Sequence, residues 1–112
     1  MNGIIDLDAT VAHAARDFPA LGRLCGAYFH QDWHEEYATT AQAVDAFLRD
    51  APPSLRTAVT GDIDRLLQLQ LDDDELGRVL RDGLDCNYVP SIDEVTNEQW
   101  LTQLRSLLGG SL

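Results

Sequence analysis

Along most of this chain, apolar side chains recur at the three- and four-residue spacing of amphipathic helices. Leu21, Leu24, Cys25, Tyr28 and Phe29 form one such stripe, and Pro19 stands where a first-turn proline belongs. Gly22 and Gly26, one turn apart, are expected to leave a smooth strip for close packing by another helix. A second helix is expected to open at Thr39 or Thr40, where Thr39 and Gln42 have capping-box spacing. Its apolar face is Val44, Phe47, Leu48 and Ala51, and Pro52-Pro53 ends it. A third helix follows from Pro53 or Ser54 with Leu55, Val59, Ile63, Leu66 and Leu67, and Gly61 is expected to bend or split it.

Asp72 with Glu75 is the next capping signal, ahead of Leu76, Val79, Leu80 and Leu84. Thr96 with Gln99 opens the last helix, whose stripe is Trp100, Leu101, Leu104, Leu107 and Leu108 and which stops at Gly109-Gly110. Between these two, residues 85–95 follow neither period and include Pro90, so they read as an irregular connection. Residues 1–17 carry only a weak helical signal, between Ala9 and Asp17, and the pattern leaves their order open. There is no internal repeat and no alternating run that would make a strand. The expected fold is all-α, a single-domain bundle of five to six short helices over residues 18–112.

The 112 residues suit one domain with one core, without room for a second lobe around a cleft. At 45% hydrophobic the chain is too apolar for an acidic disordered tail. Nineteen acids against eight bases give a formal net charge of -11, which argues against direct binding to nucleic acid or to an anionic membrane. The amino terminus lacks the pattern of a secretory signal, and no stretch has the length of a membrane span, so a cytoplasmic location is expected. Cys25 and Cys86 are accordingly expected as unpaired buried thiols.

Candidate chemistry concentrates in the segment from Tyr28 to Tyr37. His30 and His34 would share a face of a continuous helix, and Asp32, Glu35 or Glu36 could complete a metal site. A small metal-dependent enzyme built on His30, Asp32 and His34 is therefore one alternative. The glutamate of a helical H-E-x-x-H motif is missing, however, and there is no nucleophile elbow or phosphate-cradling loop. Neither an enzyme nor a cofactor or metal is expected.

The acids point elsewhere. Asp72-Asp73-Asp74-Glu75 lies at a helix start, where capping and the macrodipole account for one or two of the four. Four like charges together repel one another, and a cationic partner would relieve that repulsion. Asp85 and Tyr88 extend this surface, and Asp32, Glu35 and Glu36 form a second acidic patch around Trp33 and Tyr37. The expected partner surface draws on all of these. An acidic nucleic-acid mimic that inhibits a DNA-binding host protein is a further alternative.

Several runs resemble a known family. Phe18-Pro19-Ala20-Leu21, Tyr28-Phe29-His30-Gln31-Asp32-Trp33, Ala46-Phe47-Leu48 and Ala51-Pro52-Pro53 are similar to the helical immunity proteins of contact-dependent growth inhibition systems (CdiI-type). Asp74-Glu75-Leu76 and Trp100-Leu101 with Leu104 match in type and order, so that the resemblance spans residues 18–108. Where this chain has His34 the family pattern has an acidic residue. The resemblance implies a cytosolic antidote, itself no enzyme, that binds the toxic carboxy-terminal domain of a cognate CdiA effector, often a nuclease. Tyr28 to Trp33 carry over as a family signature. Nuclease domains hold phosphate with Arg and Lys, so an acidic inhibitor would be steered towards them.

Overall fold

The computed structural model describes residues 6–110, which leaves the first five residues and the last two outside the description that follows. Eight α-helices run in the order α1 (Leu7–Ala12), α2 (Ala14–Asp17), α3 (Pro19–Tyr28), α4 (Trp33–Glu36), α5 (Thr40–Asp50), α6 (Pro53–Gln68), α7 (Asp73–Arg78) and α8 (Asn97–Arg105). Helix α7 widens into a π-turn over Val79–Gly83, α8 does the same over Ser106–Gly110, and a 3-10 turn spans Pro90–Asp93. The described residues contain no strand, as the all-α expectation required.

Helix α6, 16 residues and so roughly 24 Å long, is the axis of the bundle. It packs against α3 on one side and α8 on the other. The stripes expected from the sequence meet there: Leu21, Leu24, Val59, Ile63, Leu66, Leu101 and Leu104 are all wholly or almost wholly buried. Gly61 does not split α6, which continues through it to Gln68. Packing on both flanks outweighs the propensity cost of one glycine, about 1 kcal/mol.

The start of α3 is secured from α6. Phe18 offers no side-chain cap, and Asp62 fills that role from across the interface. Its Oδ2 accepts the amide hydrogens of Ala20 at 2.8 Å and Leu21 at 3.0 Å. Arg65, one turn further along α6, pairs with the other oxygen of Asp62 and donates to the Asp17 carbonyl at 2.8 Å. Its guanidinium also lies 5.4 Å from the centre of the Phe18 ring. Asp62 is 4% exposed, and these bonds are what make a buried carboxylate tolerable.

The weak signal before residue 18 resolves into α1 and α2, which pack against the π-turn that follows α7. The Gly22–Gly26 strip is not the close contact. A Cβ on Gly26 would touch nothing within 4 Å, and one on Gly22 would meet only a Leu84 methyl at 3.4 Å. The tight approach is at Gly83, where a Cβ would come within 2.7 Å of the Ala14 Cβ. Cys25 and Cys86 are both unpaired and buried. The Cys25 thiol is held well above its ordinary range by its hydrogen bond with Cys86 and by burial.

Candidate partner-binding surface

Helix α3 ends at Tyr28, and the turn that follows breaks the helix before α4 begins at Trp33. His30 and His34 therefore do not share the face of a continuous helix, which was the premise of a metal site there. His30 is engaged locally instead. Its Nδ1 accepts the Asp32 amide hydrogen at 3.1 Å, and its Nε2 lies 3.3 Å from Glu36. His34 stacks on Trp33, with ring centres 3.8 Å apart. Among the described residues no group of three or more His, Cys, Asp or Glu side chains is placed to hold a metal ion.

The signature run divides into core and surface. Phe29 and Trp33 are buried with Tyr88 and Trp100 in an aromatic cluster, with ring centres 5.2–5.9 Å apart. Tyr28 packs edge-on against Phe47, and its hydroxyl donates to Asp50 at 3.1 Å. Gln31 and Asp32 are exposed.

The acidic run at α7 is more occupied than its sequence suggests. Asp72 and Glu75 form the reciprocal capping box, each accepting the other's amide hydrogen at 2.8 Å. Asp73 reaches across to α8, where its carboxylate accepts from the backbone amides of Asn97 at 3.2 Å and Glu98 at 3.1 Å. Three of the four acids thus satisfy helix-start amides, against the one or two that capping was expected to explain. Asp74 is exposed, with no hydrogen bond or ion pair to another described side chain.

Tyr88 is not a surface anchor. It is 6% exposed, with its hydroxyl donating to Asp93 at 2.7 Å. Burial first, and then this bond to a carboxylate, hold its phenol above the ordinary value of 10.0. The connection around it is tightly folded. Asn87 donates its amide hydrogen to the Phe29 carbonyl at 2.8 Å, and Val95 donates to Pro90 at 3.2 Å. Asp85 and Glu94 adopt left-handed φ values of 61° and 64°.

A surface hollow of about 320 Å³ lies where α4, the start of α5, this connection and α8 meet. Trp33, His34, Thr40, Tyr88, Ile92 and Asp93 are among its lining residues. Ile92 is 70% exposed and Val89 41%. The sequence holds a signal for this region that its individual motifs do not. Residues 24–48 and 82–104, which supply the whole lining, contain four and five acids respectively and no arginine or lysine.

Fold and surface together define a small, anionic, all-α domain with a surface hollow whose lining holds neither arginine nor lysine. A protein-family model described as CdiI immunity protein matches residues 17–108, and the chain belongs to that family. Its fold is similar to a chain in the crystal structure of the CdiA-CT/CdiI complex from Y. kristensenii 33638, with a TM-score of 0.79 and 29% identity. That match covers 83% of this chain and 99% of the other. No curated protein gives a significant match. No helix among the described residues is long and apolar enough to cross a membrane.

Proposed function

We propose that this chain is an immunity protein that binds and neutralises the carboxy-terminal toxin domain of a cognate CdiA effector in the cytoplasm. The family match over residues 17–108 carries the reading, and the likeness to a chain from a CdiA-CT/CdiI complex supports it. The toxin domain is basic and acts as a nuclease. A net charge of -11 suits an inhibitor of a domain that must hold phosphate. The protein works by occupying its partner's surface and catalyses nothing itself. Among the acids of the two sequence patches, Asp32, Glu35, Asp74 and Asp85 are exposed and hold no ion-pair partner among the described residues. These are the acids available for the contact. Asp72, Asp73 and Glu75 lie beside them with their carboxylates already committed to helix starts.

The direct test is growth of cells that express the cognate CdiA toxin domain. Co-expression of the chain should restore growth, and the purified pair should form a stoichiometric complex in which nuclease activity is lost. No protection and no complex would refute the reading.

A further inference from the structure

We propose that the hollow between α4 and the 85–96 connection is the docking point for the toxin domain, and that it receives a segment bearing an arginine or lysine beside an apolar side chain. This rests on the immunity reading and adds to it the face used and the chemistry it meets.

The first support is charge. The lining includes Asp93 and neither arginine nor lysine, and Glu35 and Glu94 stand next in sequence to the lining residues His34, Asp93 and Val95. Elsewhere the arginines blunt the negative field by pairing: Arg65 with Asp62, Arg78 with Asp8 and Arg105 with Asp64. Arg78 and Arg81 also pair with Asp82, at the far end of residues 82–104. No arginine pairs with Asp93, Glu94 or Glu35, so a cation approaching the hollow is drawn there.

The second support is apolar. Ile92, which lines the hollow, and Val89, three residues before it in the same connection, are two of the three large hydrophobic residues exposed among those described. The edges of Trp33 and Tyr88, otherwise buried in the aromatic cluster, complete the apolar part of the lining. The third is rigidity. Ile92 is presented on a turn held by the Tyr88–Asp93 bond and by the Ile92 amide donating to Val89 at 3.1 Å. Glu94, which ends this turn, takes a left-handed φ of 64°. A turn already fixed loses little entropy on binding.

The experiment measures affinity for the cognate CdiA toxin domain. Ile92→Arg, which puts a cation where a cation should arrive, is expected to weaken binding by roughly tenfold or more. Glu35→Arg, next to His34 on α4, is expected to slow association most at low salt. Thr57→Arg, an exposed position on α6 outside the hollow, adds the same charge as Ile92→Arg and should leave affinity within about threefold. All three positions are exposed, and unchanged thermal unfolding would confirm that the variants fold. If the wild-type chain binds and both Ile92→Arg and Glu35→Arg bind as tightly as Thr57→Arg, this face is not the interface and the immunity reading survives. The docking inference fails in the same way if only Asp74→Arg weakens the complex. If the wild-type chain neither binds nor protects, the immunity reading falls and the docking inference falls with it.

Discussion

Asp73 on α7 caps a helix other than its own, through the backbone amide of Asn97, 3.2 Å from its carboxylate. The Asn97 side chain returns a bond to the same carboxylate at 3.0 Å and another to the Asp73 carbonyl at 3.1 Å, tying the starts of α7 and α8 together. Asp73→Ala should therefore cost about 1–2 kcal/mol, the loss of a helix cap, whereas Asp74→Ala should change stability by less than about 0.5 kcal/mol. Urea denaturation of the two variants measures the difference, and equal stabilities would deny Asp73 its capping role. Any test of the acidic run as a binding surface belongs at Asp74, since a change at Asp73 would confuse affinity with folding.

The same logic, in a drier setting, applies to Asp62. Removing its carboxylate leaves the Ala20 and Leu21 amides without an acceptor and strips Arg65 of its partner. We expect Asp62→Ala to cost about 3 kcal/mol or more, from unmade buried hydrogen bonds and a lost charge pair. Arg65→Ala should also destabilise, because it exposes the uncompensated side of a buried charge. A loss below about 1 kcal/mol for Asp62→Ala would show that water replaces the carboxylate at the start of α3.

Local rules made much of this architecture legible. Thr39 accepts from the Gln42 amide at 3.2 Å, and both Asp72–Glu75 and Thr96–Gln99 form complete capping boxes, as their spacing foretold. Gly109, at φ 123°, ends the last helix where Gly109-Gly110 was expected to. What could not be read were features that exist only once elements meet. In sequence Asp62 looks like one more surface acid beside Gly61, because nothing local shows that α3 will place two orphan amides against it. Tyr88, lying among acids, looks exposed for the same reason, since its burial depends on Phe29, Trp33 and Trp100 arriving from other parts of the chain. Helix α4 is a single turn, too short for periodicity to register. The absence of arginine from residues 24–48 and 82–104 is visible in the chain, but its meaning emerges only when the fold brings parts of both stretches together around the hollow.

The glycines divide by what surrounds them. A Cβ at Gly83 would press on the Ala14 Cβ at 2.7 Å and the Val11 carbonyl oxygen at 3.1 Å, forcing the α1–α2 junction off the π-turn. Gly83→Ala should destabilise by about 1–3 kcal/mol, as overpacking does. Gly26 and Gly61 lie within helices with nothing near the added methyl, so alanine there should stabilise by about 0.5–1 kcal/mol. Thermal unfolding of the three single variants gives the signs directly. A stabilising Gly83→Ala would mean that the amino-terminal helices are not seated on that turn.

Alkaline pH separates the Tyr88–Asp93 bond from the rest of the core. Burial and then the Asp93 carboxylate raise the Tyr88 phenol above 10.0, and burial and then Asp50 raise that of Tyr28. In the unfolded chain both ionise near pH 10. Above that pH the unfolded chain has released protons that the folded chain still holds, so stability falls as pH rises. The contribution is complete below about pH 10 and is lost progressively as pH climbs through the folded values. Tyr88→Phe keeps the ring in the aromatic cluster but removes the titrating group. Near pH 7 it should be less stable by about 1 kcal/mol, the worth of one hydrogen bond. Above about pH 10 its stability should decline less steeply than that of the wild-type chain, bringing the two curves together. Urea denaturation at a series of alkaline pH values measures both slopes. Parallel curves would mean that the Tyr88 hydroxyl meets solvent, and that the turn carrying Ile92 is not fastened to the core through Asp93.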